Sequence, residues 1–225
     1  MILSMIIAID GPAASGKSTV AREVAKRLGF KYIDTGAMYR AVTWKALRDK
    51  VDISSEDALT ALARHARITI SELEDTRYAV IIDGEDVTEA IREPKVSAAV
   101  SSVAKLPGVR ATLVKKQQSY AGLFPDMVVE GRDIGTAVFP DADIKIYLQA
   151  LPGERAKRRQ RELKEKGYQI EVISVERDIL KRDKTDSTRA TGPLAKAADA
   201  CVVDTTEKTI GQVVQEIICL AKKSR

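Results

Sequence analysis

The sequence predicts an α/β fold: a parallel sheet core flanked by helices, with a small antiparallel β insertion and a helical lid. Three observations predict it. An apolar, β-branched run, Met5-Ile6-Ile7-Ala8-Ile9, precedes a glycine-bearing turn and then a stretch in which Val20, Val24, Ala25 and Leu28 recur at helical spacing. Strand-like runs alternate with helical patterns through most of the chain. Between about residues 67 and 93 the pattern changes to short alternating runs around Asp83-Gly84, a strong turn dipeptide.

The turn after the first strand reads Gly11-Pro12-Ala13-Ala14-Ser15-Gly16-Lys17-Ser18-Thr19, the G-x-x-x-x-G-K-S pattern that cradles phosphate. A plain glycine turn could carry the same residues, but strand, glycine loop and helix is the context this pattern requires. The glycines let backbone N–H groups turn inward, and the helix start adds its positive dipole end. Lys17 is placed to reach the outer phosphates and Ser18 to meet Mg²⁺.

The remaining elements follow in order. Tyr32-Ile33-Asp34-Thr35-Gly36 reads as a short strand ending in a turn, and residues 36–50 as a helix carrying Tyr39, Arg40 and Trp44. Ser54-Ser55-Glu56-Asp57 caps a helix over 57–66. Pro94 ends the β insertion; 96–104 is helical, Pro107-Gly108 breaks it, and 109–120 is helical again. Met127-Val128-Val129 and the run 144–148 are buried-type strands. Pro152 opens a basic helix that Gly167 stops near 166. A second helix spans about 172–182 and gives way to a polar segment ending at Gly192-Pro193. Cys201-Val202-Val203 is a last strand, and 209–222 the closing helix.

The chain has 225 residues with 44% hydrophobic and 31% charged, enough apolar content for a sizeable core. Lys plus Arg number 37 against 32 acids, a net charge of +5, which suits an anionic substrate and would also suit weak RNA contact. Its two cysteines, Cys201 and Cys219, lack metal-type spacing and read as small buried hydrophobes in a reducing cytoplasm. No apolar run approaches 18 residues, and no basic region with a signal-type core opens the chain, so no membrane association is expected. The single histidine, His65, falls in an amphipathic stretch as a surface residue, leaving no histidine triad or metal cluster.

Further charged segments flank the phosphate loop. Asp34-Thr35-Gly36-Ala37-Met38-Tyr39-Arg40 and Glu130-Gly131-Arg132-Asp133 each follow a predicted strand, so both point at the carboxyl edge of the sheet, where ligands of such folds bind. Arg40 and Arg132 suit bidentate phosphate recognition. The basic helix holds Arg155, Arg158 and Arg159 among interleaved glutamates. It is either a solvated face or a lid whose arginines close over phosphates. Arg182-Asp183-Lys184-Thr185-Asp186-Ser187-Thr188-Arg189 is either a solvated linker or a substrate clamp.

Four stretches, I-D-G-P-A-A-S-G-K-S-T, D-T-G-A-M-Y-R, E-G-R-D-I-G-T-A-V-F-P-D-A and R-D-x-x-D-S-T-R-A-x-x-P-L, occur in this order from Ile6 to near the C-terminus. As a set they resemble bacterial-type cytidylate kinases. The resemblance implies a P-loop NMP-kinase-like core over 1–66, 107–152 and 190–225, a monophosphate-binding insertion over about 67–106 and a lid over about 153–189. It implies ATP-dependent phosphorylation of CMP and dCMP to CDP and dCDP, with Mg²⁺, in pyrimidine nucleotide metabolism. Gly11, Pro12, Ala13, Ala14, Ser15, Gly16, Lys17, Ser18 and Thr19 would hold donor phosphates, with Ser18 on the metal. Thr35, Arg40 and Arg132 would hold the acceptor phosphate, with Tyr39 close by. Ser101, Arg110, Asp133 and Arg189 would surround cytosine, and Arg182 and Asp186 the ribose. Lys17, Arg132, Asp133 and Arg158 are the expected catalytic residues.

The base assignment has its own chemistry. Cytosine presents a donor amine at N4 and acceptors at N3 and O2. A carboxylate accepts from the amine, while arginine and serine donate to the acceptors. Uracil would leave such groups unpaired at about 1–3 kcal/mol each. Glu130 departs from the pattern, standing where an aspartate often precedes G-R-D. No Walker-B aspartate is legible, which leaves Mg²⁺ to Ser18 and phosphate oxygens. Two rival readings remain: a kinase of the same fold for UMP, AMP or a non-nucleotide acceptor, and a P-loop switch or RNA-associated module. The basic segment lacks interleaved aromatics, with only Tyr168 near its end, which disfavours RNA. No exposed apolar stripe stands out, predicting a monomer.

Overall fold

A computed structural model describes residues 4–72 and 78–223. In chain order the elements are β1 (Met5–Asp10), α1 (Lys17–Leu28), β2 (Lys31–Asp34), α2 (Thr35–Arg48), α3 (Glu56–His65), β3 (Ile68–Glu72), β4 (Tyr78–Ile82) and β5 (Glu85–Asp86). They continue with α4 (Pro94–Ala104), α5 (Pro107–Gln118), β6 (Asp126–Gly131), β7 (Ile144–Gln149), α6 (Pro152–Glu165), α7 (Val172–Thr188), β8 (Cys201–Asp204) and α8 (Ile210–Lys223). The chain divides into two compact units, Met1–Tyr32 with Asp126–Arg225, and Ile33–Pro125.

The first unit is built on a five-stranded sheet in the order β2-β6-β1-β7-β8, and the chain leaves this unit within β2. β1 lies at its centre, parallel to β6 (Ile9 beside Glu130, Asp10 beside Gly131) and to β7 (Ile9 beside Ile146). Ile7, Ala8 and Ile9 are wholly buried. A central strand covered on both faces must be apolar throughout, which is why the run 5–9 shows no alternation. α8 contributes Val213, Val214, Ile217 and Ile218 to the buried side. Because β1, β6 and β7 are parallel, their carboxyl ends open on one edge, and the loops carrying Gly11, Arg132 and Leu151 leave from it.

The second unit packs α2, α3, α4 and α5 with the antiparallel sheet β3-β4-β5. α2 is its spine: Val42 and Ala46 face Leu59, Val103, Val109 and Leu113, while Ala41 and Trp44 face Val80, Ile82, Val87 and Ile91. Asp83 and Gly84 both take positive φ, 52° and 87°, the backbone of the tight turn that joins β4 to β5. The hairpin expected from this dipeptide is therefore present, although residues 73–77 of the expected insertion lie outside the described residues. The helices at 35–48, 56–65 and 107–118, expected with the core, pack with the insertion in this unit.

Several boundaries differ from expectation for identifiable reasons. Pro94 and Pro107 open their helices rather than ending something before them. The start of α5 is satisfied from α3, whose Glu56 carboxylate accepts the Gly108 N–H at 2.7 Å. α7 runs on to Thr188, through the segment expected to be irregular. The hydroxyls of Thr185 and Thr188 donate to the carbonyls of Lys181 and Lys184, so these polar residues bond back along the helix instead of breaking it. Both cysteines are exposed, not buried: Cys201 opens the edge strand β8, and Cys219 lies on the outer side of α8. Ile173 and Leu180, two turns apart on α7, are exposed apolar residues that the sequence pattern did not single out. His65 is exposed, as expected.

Candidate active site

The phosphate loop is shaped by its glycines. Gly11 has φ 150°, and a Cβ there would sit 2.1 Å from the Leu148 carbonyl oxygen, so no side chain fits. Gly16, at φ 91°, is the N-cap of α1 and supplies no side chain to cap it; the first turn holds no acid. The opening amides of α1 therefore remain available to an anion. Lys17 is buried and folds back, donating to the Pro12 carbonyl at 2.6 Å and to the Ser15 hydroxyl at 3.3 Å. Ser18 is half-buried and Thr19 exposed.

Around the loop, the first unit gathers a dense set of charges. Asp10, at the end of β1, accepts the N–H groups of Ile134 and Gly135, both at 2.8 Å. Its carboxyl is pushed up to about 6 by burial, against the pull of those two amides. Burial also holds the Lys17 ammonium well below its usual range, helped by the Arg132 guanidinium, with Glu130 acting the other way. Arg182 is lowered to about 10, first by burial and then by Arg132. Three cations, Lys17, Arg132 and Arg182, thus repel one another in a partly dehydrated space. A polyphosphate would relieve that repulsion, the preorganised field that phosphoryl transfer needs.

Carboxylates hold the arginines in place. Arg132 Nε donates to Asp186 at 3.1 Å, and Arg189 pairs with Asp133 at 3.4 Å. Asp186 also lies 3.9 Å from Arg182 and 3.8 Å from Arg189. Of the predicted acceptor residues, the structure therefore brings Arg132, Asp133, Arg182, Asp186 and Arg189 together. These come from β6's outgoing loop and the end of α7, with 54 residues of sequence separating Arg132 from Asp186.

Thr35, Tyr39, Arg40, Ser101 and Arg110 belong to the second unit. Thr35 is buried at the first position of α2, whose N-cap Asp34 accepts the Ala37 N–H. Arg40 donates to the Ile91 carbonyl at 3.2 Å and the Ser97 hydroxyl at 2.9 Å. Arg110 is almost fully buried, donates to the Ala104 carbonyl and stacks over the Tyr39 ring at 5.4 Å. A guanidinium this deep needs such partners, and they fix where its face points.

Among the lid arginines the structure distinguishes roles. Arg155 is 5% exposed and spent on internal contacts with Ala13, Ala150 and Asp183. It is not free to close over phosphates. Arg158 lies beside the phosphate loop, 4.0 Å from where a Gly16 Cβ would be, and donates to the hydroxyl and carbonyl of Thr205. Arg159 pairs with Glu162 near the surface.

The sequence reading named two acids without assigning either a partner. Asp183 bridges the phosphate loop and Arg155, and its signal was only its place in R-D-x-x-D. Glu130 stands next to last in β6, the strand directly beside the phosphate-loop strand. Strand order supplies this second fact, and no local motif could have. Glu130 is buried and accepts from the Tyr32 hydroxyl. Among the described residues no group of three or more His, Cys, Asp or Glu could hold a metal by itself.

The sequence profile of the cytidylate kinase family matches residues 7–223. A cytidylate kinase of Pelotomaculum thermopropionicum is 49% identical over 219 residues, covering 97% of this chain and 96% of its own. One from Bacillus licheniformis is likewise 49% identical, with the same coverage. In structure, an uncharacterized protein from Eubacterium ventriosum superposes with a TM-score of 0.53 at 13% identity, over 97% of this chain and 98% of that one, a likeness of fold alone.

Proposed function

The chain belongs to the cytidylate kinase family, and from that we propose that it transfers the γ-phosphoryl group of ATP to CMP and dCMP, giving CDP and dCDP. The observation that carries the substrate choice is the Asp133–Arg189 pair beside the phosphate loop's sheet edge. It offers an acceptor and a donor side by side, as the cytosine edge requires. By the same family resemblance Ser101 and Arg110 belong to the proposed base set, and Arg182 and Asp186 take the ribose. Thr35, Arg40 and Arg132 hold the acceptor phosphate, with Tyr39 next to them.

The donor phosphates lie along the loop from Gly11 to Thr19. Lys17 leaves the Pro12 carbonyl to meet them, exchanging a neutral partner for an anionic one. Ser18 would hold Mg²⁺, with Glu130 on the neighbouring strand in support, and the ion would supply charge neutralisation to the donor phosphates. The attacking oxygen belongs to the CMP phosphate and is already anionic, so no general base is needed. Arg132 and Asp133 orient the acceptor, and Arg158 supports the donor side from α6. Catalysis is then positioning and charge stabilisation. We expect a cytoplasmic monomer that binds no nucleic acid.

The test is ADP release with ATP·Mg²⁺ and CMP, dCMP, UMP, AMP or GMP, each alone. Fast turnover with CMP and dCMP is expected. Turnover led by UMP or AMP would overturn the base assignment, and release without an acceptor would identify an NTPase switch.

A further inference from the structure

We propose that Asp183 is a positioning residue that fastens the phosphate loop to α7 at Ala13 and so couples donor binding to acceptor binding; the proposal rests on the kinase reading above. Asp183 uses both carboxylate oxygens. Oδ1 accepts the Ala13 N–H at 2.9 Å, and Oδ2 accepts from Arg155 Nη1. The same Arg155 nitrogen donates to the Ala13 carbonyl at 2.9 Å, while its Nε holds the Ala150 carbonyl at 3.1 Å. The Ala13 methyl packs with Ala156, Leu163, Val175 and Ile179. Donor, acceptor and side chain of one loop residue are thus all claimed by α6 and α7.

This grip falls at a sensitive point of the loop. The next residue, Ala14, has φ 57°, a left-handed conformation that an alanine keeps only where its surroundings impose it. The Ala13 peptide leads into that turn, and the turn aims the following amides. Charge-assisted bonds at both ends of Ala13 therefore set the loop's conformation from outside it.

On α7 the grip adjoins the proposed ribose residues. Arg182 precedes Asp183, and Asp186 stands one turn from Arg182, bonded to Arg132. One helical turn thus bears the loop fastening and the acceptor contacts. A helix turn moves as a unit, so a nucleotide that pulls on Arg182 and Asp186 also sets Asp183, and a donor that orders the loop presets the acceptor residues. Such coupling is reciprocal.

The experiment titrates wild type, Asp183→Asn and Asp183→Ala with a non-hydrolysable ATP analogue by calorimetry, with and without saturating CMP, and records thermal unfolding of each. Wild type is expected to bind the analogue about 5–150-fold tighter with CMP present, the usual range of coupling. Asparagine can still accept the Ala13 N–H but carries no charge for Arg155, so its coupling should fall partway. Alanine should bring the ratio to within about twofold, with CMP affinity alone within about threefold of wild type. Coupling unchanged in both variants, or absent in wild type, overturns the proposal and leaves the kinase reading standing. Loss of CMP affinity by itself in Asp183→Asn would show a merely structural role and also overturn it. Wild type that fails to phosphorylate CMP overturns the kinase reading, and this coupling with it.

Discussion

Asp10 accepts the Gly135 N–H at 2.8 Å, so the strand that feeds the phosphate loop also holds the loop bearing Arg132 and Asp133. The bond has a cost that pH reveals. Burial raises the Asp10 carboxyl from 3.8 to about 6, so the folded protein binds this proton more tightly than the unfolded chain. The contribution to stability is full below about 3.8 and is lost as pH rises through about 6. The shift corresponds to roughly 3 kcal/mol. The unfolding free energy of wild type, measured against Asp10→Asn, should therefore fall by about that amount from about pH 4 to about pH 7. A difference that stays flat in denaturant titrations across this window would refute the buried, proton-retaining Asp10.

Lys17 presents the opposite trade. Burial and the neighbouring Arg132 disfavour its charge, so the fold is strained by the group proposed to meet the donor phosphates. Lys17→Met should raise the melting temperature of the free protein while kcat drops about 10²–10³-fold, the loss typical of removing one preorganised donor. A scan of thermal unfolding beside steady-state rates checks both halves. A variant less stable than wild type would mean the ammonium is stabilised, not strained.

Gly11→Ala tests the loop's geometry. The added Cβ would meet the backbone oxygen of Leu148 at 2.1 Å, and strand β7, paired on both sides by β1 and β8, has no slack to yield. Destabilisation of about 1–3 kcal/mol and loss of ATP-analogue binding are expected, with a lowered denaturation midpoint as the readout. Full ATP affinity in this variant would show that the loop can be displaced without penalty.

What was legible in the sequence was what short-range chemistry dictates. The phosphate loop, the Asp83-Gly84 turn and the Ser55 cap each rest on a few adjacent residues, and each is present. The grouping of Arg132 and Asp133 with Arg182, Asp186 and Arg189 was legible only through the resemblance, since no local rule joins residues so far apart. Three features escaped. The helical state of 183–188 depends on hydroxyls bonding back to carbonyls, which composition alone reads as loop. The burial of Arg155 depends on Ala13 and Asp183 meeting it, where a basic helix alone suggests mobile cations. The place of Glu130 depends on strand order, which a sequence does not state.

The pairing of Asp133 with Arg189 yields the sharpest test of base selection. A carboxylate can only accept, so it favours the N4 amine of cytosine and opposes the O4 carbonyl of uracil. An asparagine at the same place can turn either its oxygen or its amide nitrogen toward the base. Asp133→Asn should therefore weaken CMP and relieve the penalty against UMP together. With about 1–3 kcal/mol at stake for each unpaired group, the ratio of kcat/KM for CMP over UMP should shrink by one to two decades, about 10- to 100-fold. ATP-analogue affinity measured without acceptor should stay near wild type, because the phosphate loop is untouched. If the CMP-to-UMP ratio in Asp133→Asn equals that of wild type, Asp133 does not read the base.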